Sequence, residues 1–96
     1  MEWQEKDKVS PAKTWRITFS SPVNNATLNG NIYVIDALGD IIPVKLSLSD
    51  GRKSVLAEPE KAYTAGQYYY LYINKDISSS NGRQLGKTIR MKFHIE

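Results

Sequence analysis

One histidine, a scatter of carboxylates and a run of tyrosines are the side chains of this chain that could do chemistry. His94 is the single histidine. A general base needs a nucleophile and an orienting partner within reach, and the chain has no cysteine to serve as one. No Gly-x-Ser-x-Gly, no His-Glu-x-x-His and no phosphate-binding glycine loop occurs. Asp36, Asp40, Asp50, Glu58, Glu60 and Asp76 fall mostly at turn positions, where Asp is favoured because it bonds its own backbone. Asp36 and Asp40 bracket one turn. Calcium takes roughly six to eight oxygens, so two carboxylates from one turn are a poor start for a site. Asn25-Ala26-Thr27 matches the glycosylation pattern, a short match that arises readily by chance. The inventory points to no catalytic residue, no metal ligand and no cofactor site, and so to a chain that is not an enzyme.

What remains is a contact surface. In Tyr68-Tyr69-Tyr70-Leu71-Tyr72-Ile73 successive side chains of a strand alternate between faces. If Tyr69, Leu71 and Ile73 face a core, Tyr68, Tyr70 and Tyr72 face out. Antiparallel pairing with the last apolar-alternating segment would set Arg90, Lys92 and His94 on that same outer face. Tyrosines beside cations stack across strands. They also supply rigid area for a neighbouring domain or for the sugar rings of a cell wall. The opposite register would bury Tyr68, Tyr70 and Tyr72 and remove the surface.

The elements that must hold this face are strands. Trp15, Ile17 and Phe19 sit two apart, with Arg16 and Thr18 between them, which marks one buried and one polar face over Thr14 to Ser20. Ser20-Ser21-Pro22 ends it, because proline has no N–H for a ladder. A first, edge-like strand is expected over Trp3 to Lys8, ended by Ser10-Pro11. Asn24 to Thr27 reads as a turn or a single helical turn. Asn31 to Asp36 puts Ile32 and Val34 on one face and Tyr33 and Ile35 on the other. Ile42 to Leu48 alternates next, then Asp50-Gly51 supplies a tight turn. Ser54 to Glu58, Gln67 to Asn74 and Ile89 to Ile95 complete about seven strands. Turn signals roughly every ten residues fit an antiparallel β-sandwich, with a small closed barrel as the competing architecture.

Composition agrees. Ninety-six residues make one domain over 1–96, and 41% apolar residues suffice for one core. A net charge of +3, with Lys and Arg scattered, lacks the basic stripe of a nucleic-acid binder. No apolar run is long enough to span a membrane, and Met1-Glu2-Trp3-Gln4-Glu5-Lys6 lacks the layout of a signal peptide. The chain is then either cytoplasmic or a module of a longer secreted protein, and the last strand, Ile89 to Ile95, reaching the end of the chain favours the module.

The order of segments is itself informative. Trp15-Arg16-Ile17-Thr18-Phe19-Ser20-Ser21-Pro22-Val23-Asn24, Ala26-Thr27-Leu28, Ile32-Tyr33-Val34-Ile35-Asp36 and Gly39 resemble the start of a bacterial Ig-like domain of the surface-layer-protein type. The continuation is similar too: Pro43-Val44, Ser49-Asp50-Gly51-Arg52, Pro59, Tyr63, Gly66, Tyr69-Tyr70-Leu71-Tyr72-Ile73, Ile77, Asn81-Gly82, Leu85 and Met91-Lys92-Phe93. The resemblance implies an Ig-like sandwich with Greek-key connections. It implies a non-catalytic, adhesion-supporting spacer or scaffold at a bacterial cell surface or wall, whose parent chain carries the signal peptide. Partners would be neighbouring domains or other surface proteins. Asn24 stands where the family often has Asp, which argues against metal at that turn. A carbohydrate-binding module of a wall or polysaccharide hydrolase is the alternative. Tyr63 is expected to pack its ring inward and bond its hydroxyl to nearby backbone, with Val23 and Leu28 plugging one end of the core.

Overall fold

The computed structural model describes residues 1–96. Eight strands form two sheets: β1 (Lys6–Val9), β2 (Trp15–Thr18), β3 (Ile32–Asp36), β4 (Ile41–Ile42), β5 (Val44–Ser49), β6 (Ser54–Pro59), β7 (Tyr68–Ile73) and β8 (Ile89–Ile95). One sheet runs β1-β8-β7-β3-β4, the other β2-β6-β5. β3 and β7 are neighbours although two strands of the other sheet lie between them in sequence. That crossing gives the Greek-key connection the segment order implies. The turn after Asn24 is one 3-10 turn, Asn25–Thr27, with the Asn24 side chain accepting from the Ala26 N–H at 3.1 Å.

Three details depart from the sequence reading. The Ile42-to-Leu48 segment is not one strand. Pro43 cannot donate to a ladder, and the chain changes sheets there, giving β4 to the β3 edge and β5 to β6. The first strand lies later than expected, at Lys6–Val9, and it pairs with β8 in parallel rather than antiparallel sense. Its register shifts between Lys6 and Val9, where Lys8 takes a left-handed φ of 55°. Third, Phe19 falls outside β2 and is only half-buried.

The core lies between the sheets. Alternation places Ile32 and Val34 of β3, Tyr69, Leu71 and Ile73 of β7, and Ile89, Met91, Phe93 and Ile95 of β8 inward. Ile17 of β2 and Val55 and Ala57 of β6 meet them from the other sheet. Each large apolar side chain so buried contributes about 1.5–3 kcal/mol. Phe93 is fully buried and is the hub: the rings of Trp15, Tyr63 and Tyr69 lie 5.0, 5.3 and 5.6 Å from it. Val23 and Leu28 are buried, as expected of end plugs. Ser54 is the one buried polar residue, and its Oγ donates to Asp50 at 3.0 Å beside the Thr18 hydroxyl. Asp50, Gly51 and Arg52 all have positive φ, the conformation an Asp-Gly turn tolerates.

Candidate functional site

The register sets the outer face of the five-stranded sheet. Tyr68 stands opposite His94, Tyr70 opposite Lys92 and Tyr72 opposite Arg90. Tyr69, Leu71 and Ile73 point inward, so the tyrosine face is outward, as the alternation predicts. β3 extends the rows: Tyr33 opposes Tyr72, Ile35 opposes Tyr70, and Ile41 of β4 opposes Ile35.

The side chains on this face pack on one another. Tyr33 and Tyr72 stack at 5.2 Å with planes 8° apart. Arg90 stands opposite Tyr72 but leans so that its guanidinium lies 5.1 Å over the ring of Tyr70. Lys92 leans the same way, with Nζ 4.3 Å over Tyr68. His94 stacks on Tyr68 at 4.5 Å. Each cation therefore covers the aromatic ring two residues along from its cross-strand partner. Tyr68 keeps 40% exposure, while Tyr70 and Tyr72 are half-buried by this layer.

Charges from the N-terminal segment finish the face. Glu2 pairs with Arg90, with Nε donating to Oε1 at 2.6 Å. The Tyr72 hydroxyl and then the Glu2 carboxylate hold the Arg90 pKa above its ordinary value. Asp7 Oδ1 lies 2.9 Å from His94 Nδ1, and the Gly66 carbonyl lies 3.2 Å from His94 Nε2. Both ring nitrogens thus face oxygen acceptors; a neutral ring serves one and a doubly protonated ring serves both. The bond from His94, helped by the Lys8 N–H, holds the Asp7 carboxyl below the usual carboxylate range. His94 is thus engaged by Asp7 and the Gly66 carbonyl on its two nitrogens and by the Tyr68 ring on its face.

The turn carboxylates are occupied locally. Asp36 Oδ1 accepts from the N–H groups of Leu38 at 2.9 Å and Asp40 at 3.0 Å, closing the turn it begins. Asp50 pairs with Arg16 and accepts from Ser54. No three His, Cys, Asp or Glu side chains gather where a metal could be held. A cleft of about 250 Å³ at the Ser78–Ser79 loop is walled by Phe19, Val23, Ile77 and Leu85, with Arg83 as its charged side chain.

One expectation is corrected. Tyr63 does pack inward, but its hydroxyl has no partner, and burial pushes its pKa up to about 12. The bond to backbone is made by Tyr69 instead: its hydroxyl accepts from the Thr64 N–H at 2.9 Å. Sequence reasoning also missed Tyr33, Glu2 and Asp7 as members of the outer layer. Period two placed Tyr33 outward, but its stacking partner is fixed only by long-range strand pairing.

Two facing sheets in this strand order, packed on a shared aromatic core, form an Ig-like β-sandwich. The sequence model of the family described as bacterial Ig-like domain matches residues 4–94, and the chain belongs to that family. Among solved structures, the S-layer protein rSbsC is 14% identical with a TM-score of 0.68, over 97% of this chain and 13% of that one. The N-terminal part of the bacterial S-layer protein SbsC is 13% identical with a TM-score of 0.66, over 97% of this chain and 23% of that one. CopC from Methylosinus trichosporium OB3b is 17% identical with a TM-score of 0.67, over 96% of this chain and 86% of that one. At these identities the likeness is one of fold. A search of curated proteins gave no match. The chain thus spans 13% and 23% of the two S-layer chains it resembles.

Proposed function

We propose that this chain is one non-catalytic module of a longer bacterial surface or secreted protein, and that it acts as a spacer and scaffold. Its partners on this reading are neighbouring domains of the same chain or other surface proteins. The observation that carries the reading is where the chain enters and leaves the sandwich. The Met1 nitrogen donates to the Thr88 carbonyl at 2.8 Å, beside the start of β8, whereas Glu96 follows the end of β8. At ~3.3 Å per strand residue the two points lie roughly 25 Å apart. Modules joined through such points extend in line rather than doubling back. The S-layer proteins with similar folds, of which one such sandwich is a small fraction, support the same setting.

The wall-polysaccharide alternative asks for free ring faces. Arg90 and Lys92 already lie over Tyr70 and Tyr68, which favours a self-packed layer. Small-angle scattering on one, two and three tandem copies tests the spacer reading. The expected maximum dimension rises by roughly 25 Å or more with each copy; a compact trimer would refute in-line joining. Retention of the single module on purified cell wall, abolished by Tyr70→Ser with Tyr72→Ser, would replace the spacer reading with the polysaccharide one.

A further inference from the structure

The two ends of the sandwich differ in charge and in shape. At the end where β8 begins lie the β5–β6 turn and the connection from β7 to β8, brought together by the bridge between Val23 and Ser79. The turn holds Arg52 and Lys53, and the connection holds Lys75, Arg83 and Lys87, against Asp50 and Asp76. Asp50 is already paired with Arg16, whereas none of these five cations is in an ion pair. The cleft of about 250 Å³ opens beside them, with Arg83 as its charged side chain. Phe19 N–H donates to the Lys53 carbonyl and Val23 N–H to the Arg52 carbonyl, both at 2.8 Å, so two of its apolar walls are tied to the basic turn. The opposite end is acidic and carries a knob. Asp36 stands opposite Tyr69, and Tyr69 opposite Phe93, which places the Asp36–Asp40 turn at the Ile95 end of β8. Leu38 at the tip of that turn is 88% exposed, and Ile41 just after it is 69% exposed. Asp36 Oδ1 accepts from the N–H groups of Leu38 and Asp40, which fixes the tip while leaving the Leu38 side chain in water. Glu60 is held beside the end of β4, its N–H donating to the Pro43 carbonyl at 3.2 Å, and Lys61 follows it.

We infer that the Leu38 turn of one copy of this chain seats in the cleft of a second copy, so that copies associate head to tail. The cleft offers Phe19, Val23, Ile77 and Leu85 to one branched aliphatic side chain, and Leu38 is such a side chain with nothing covering it. Seating it removes apolar surface from water on both partners. Asp40, which no cation pairs within its own chain, then comes against Arg83 and the basic turn. Opposite charges on the two ends steer the copies into this one orientation. Two clefts facing each other, or two knobs, would set like charges together and are disfavoured. Knob and cleft lie on opposite ends, so each contact leaves a free knob and a free cleft, and the assembly grows in a line instead of closing. The polarity is that of the chain itself, since Met1 lies at the cleft end and Glu96 at the knob end. The contact needs no covalent joining of modules and so goes beyond the spacer reading.

Sedimentation velocity of the 96-residue chain over a range of concentrations, at low and at high salt, tests this. The mean mass is expected to rise with concentration without reaching a closed endpoint. High salt is expected to weaken the rise, because exposed charges are screened. Leu38→Ser and Arg83→Glu both fall at exposed positions. Leu38→Ser is expected to lower the association constant by about tenfold or more, the change that burial of one leucine corresponds to. Arg83→Glu is expected to abolish association at low salt. Mixed together, the two variants are expected to form a one-to-one complex that grows no further, since one keeps its knob and the other its cleft. A mixture that stays monomeric, or a Leu38→Ser chain that associates as the parent does, would overturn the inference. A parent that stays monomeric up to millimolar concentration would overturn it too, and retention of that monomer on heparin at low salt would assign the basic end to a polyanion instead. In-line joining is judged separately, by the scattering of covalent tandem copies.

Discussion

Tyr63 and Tyr69 pack ring to ring at 4.8 Å with planes 54° apart, yet only one of their two hydroxyls is satisfied. Tyr69 accepts from the Thr64 N–H, while the Tyr63 hydroxyl is buried without a partner. Removing a partnered group strands its mate, at a cost of about 1–3 kcal/mol; removing an unpartnered buried hydroxyl strands nothing. Tyr69→Phe is therefore expected to destabilise the domain by about 1–3 kcal/mol. Tyr63→Phe is expected to be neutral or stabilising. Urea midpoints of the two variants check this, and a Tyr63→Phe loss as large as that of Tyr69→Phe would show that the Tyr63 hydroxyl has a partner in solution.

Trp15 sits edge-on to Phe93 at 5.0 Å and is 9% exposed. Truncating a buried Trp costs about 3–5 kcal/mol, against a total stability of about 5–15 kcal/mol for a domain. Trp15→Ala is expected to remove most of the folding transition at 37 °C. Trp15→Phe is expected to retain it, because the Trp15 Nε1 makes no hydrogen bond that Phe would forfeit. Thermal melts followed by circular dichroism compare the two, and an unchanged Trp15→Ala melt would mean that this ring is not core.

The alternation of β7 and β8 was legible because period two is strict. Once Leu71 and Phe93 face inward, the outward set of Tyr68, Tyr70, Tyr72, Arg90, Lys92 and His94 follows without further information. The pairing partners were not legible, since they depend on contacts far apart in sequence. Glu2 reaches Arg90 and Asp7 reaches His94 across nearly the whole chain. Nothing local in Lys6–Val9 announces parallel pairing with β8. Pro43 did carry a signal for the change of sheet. Its apolar neighbours Ile42 and Val44 fitted a continuous alternation and masked the break. Tyr63 and Tyr69 are both inward-facing rings at one corner. Which hydroxyl meets a backbone N–H is decided by the path of the loop at Thr64, not by residue type.

If the outer layer is self-packed, its rings should stabilise the sheet. Tyr33 and Tyr72 are cross-strand neighbours stacked nearly parallel. A double-mutant cycle with Tyr33→Ala and Tyr72→Ala is expected to give a coupling of about 0.5–1 kcal/mol. Additive losses would mean that the stack does not contribute, and would free both rings for an external partner.

The Asp7–His94 pair makes the seam between the N-terminal segment and β8 sensitive to acid. The His94 bond is the main cause of the lowered Asp7 pKa in the folded chain, followed by the Lys8 N–H. A carboxyl whose folded pKa lies below its unfolded value, ordinarily about 3.9, adds stability above that unfolded value. The contribution fades as pH falls through the lowered folded pKa. Melting temperature is therefore expected to lose an Asp7-dependent increment at the acid end, and Asp7→Asn is expected to flatten that part of the profile. His94→Gln should move the Asp7 carboxyl back toward its ordinary pKa in an NMR titration. An Asp7 titration unchanged by His94→Gln would assign the shift to the Lys8 N–H alone, and the pair would no longer account for any acid loss of the seam.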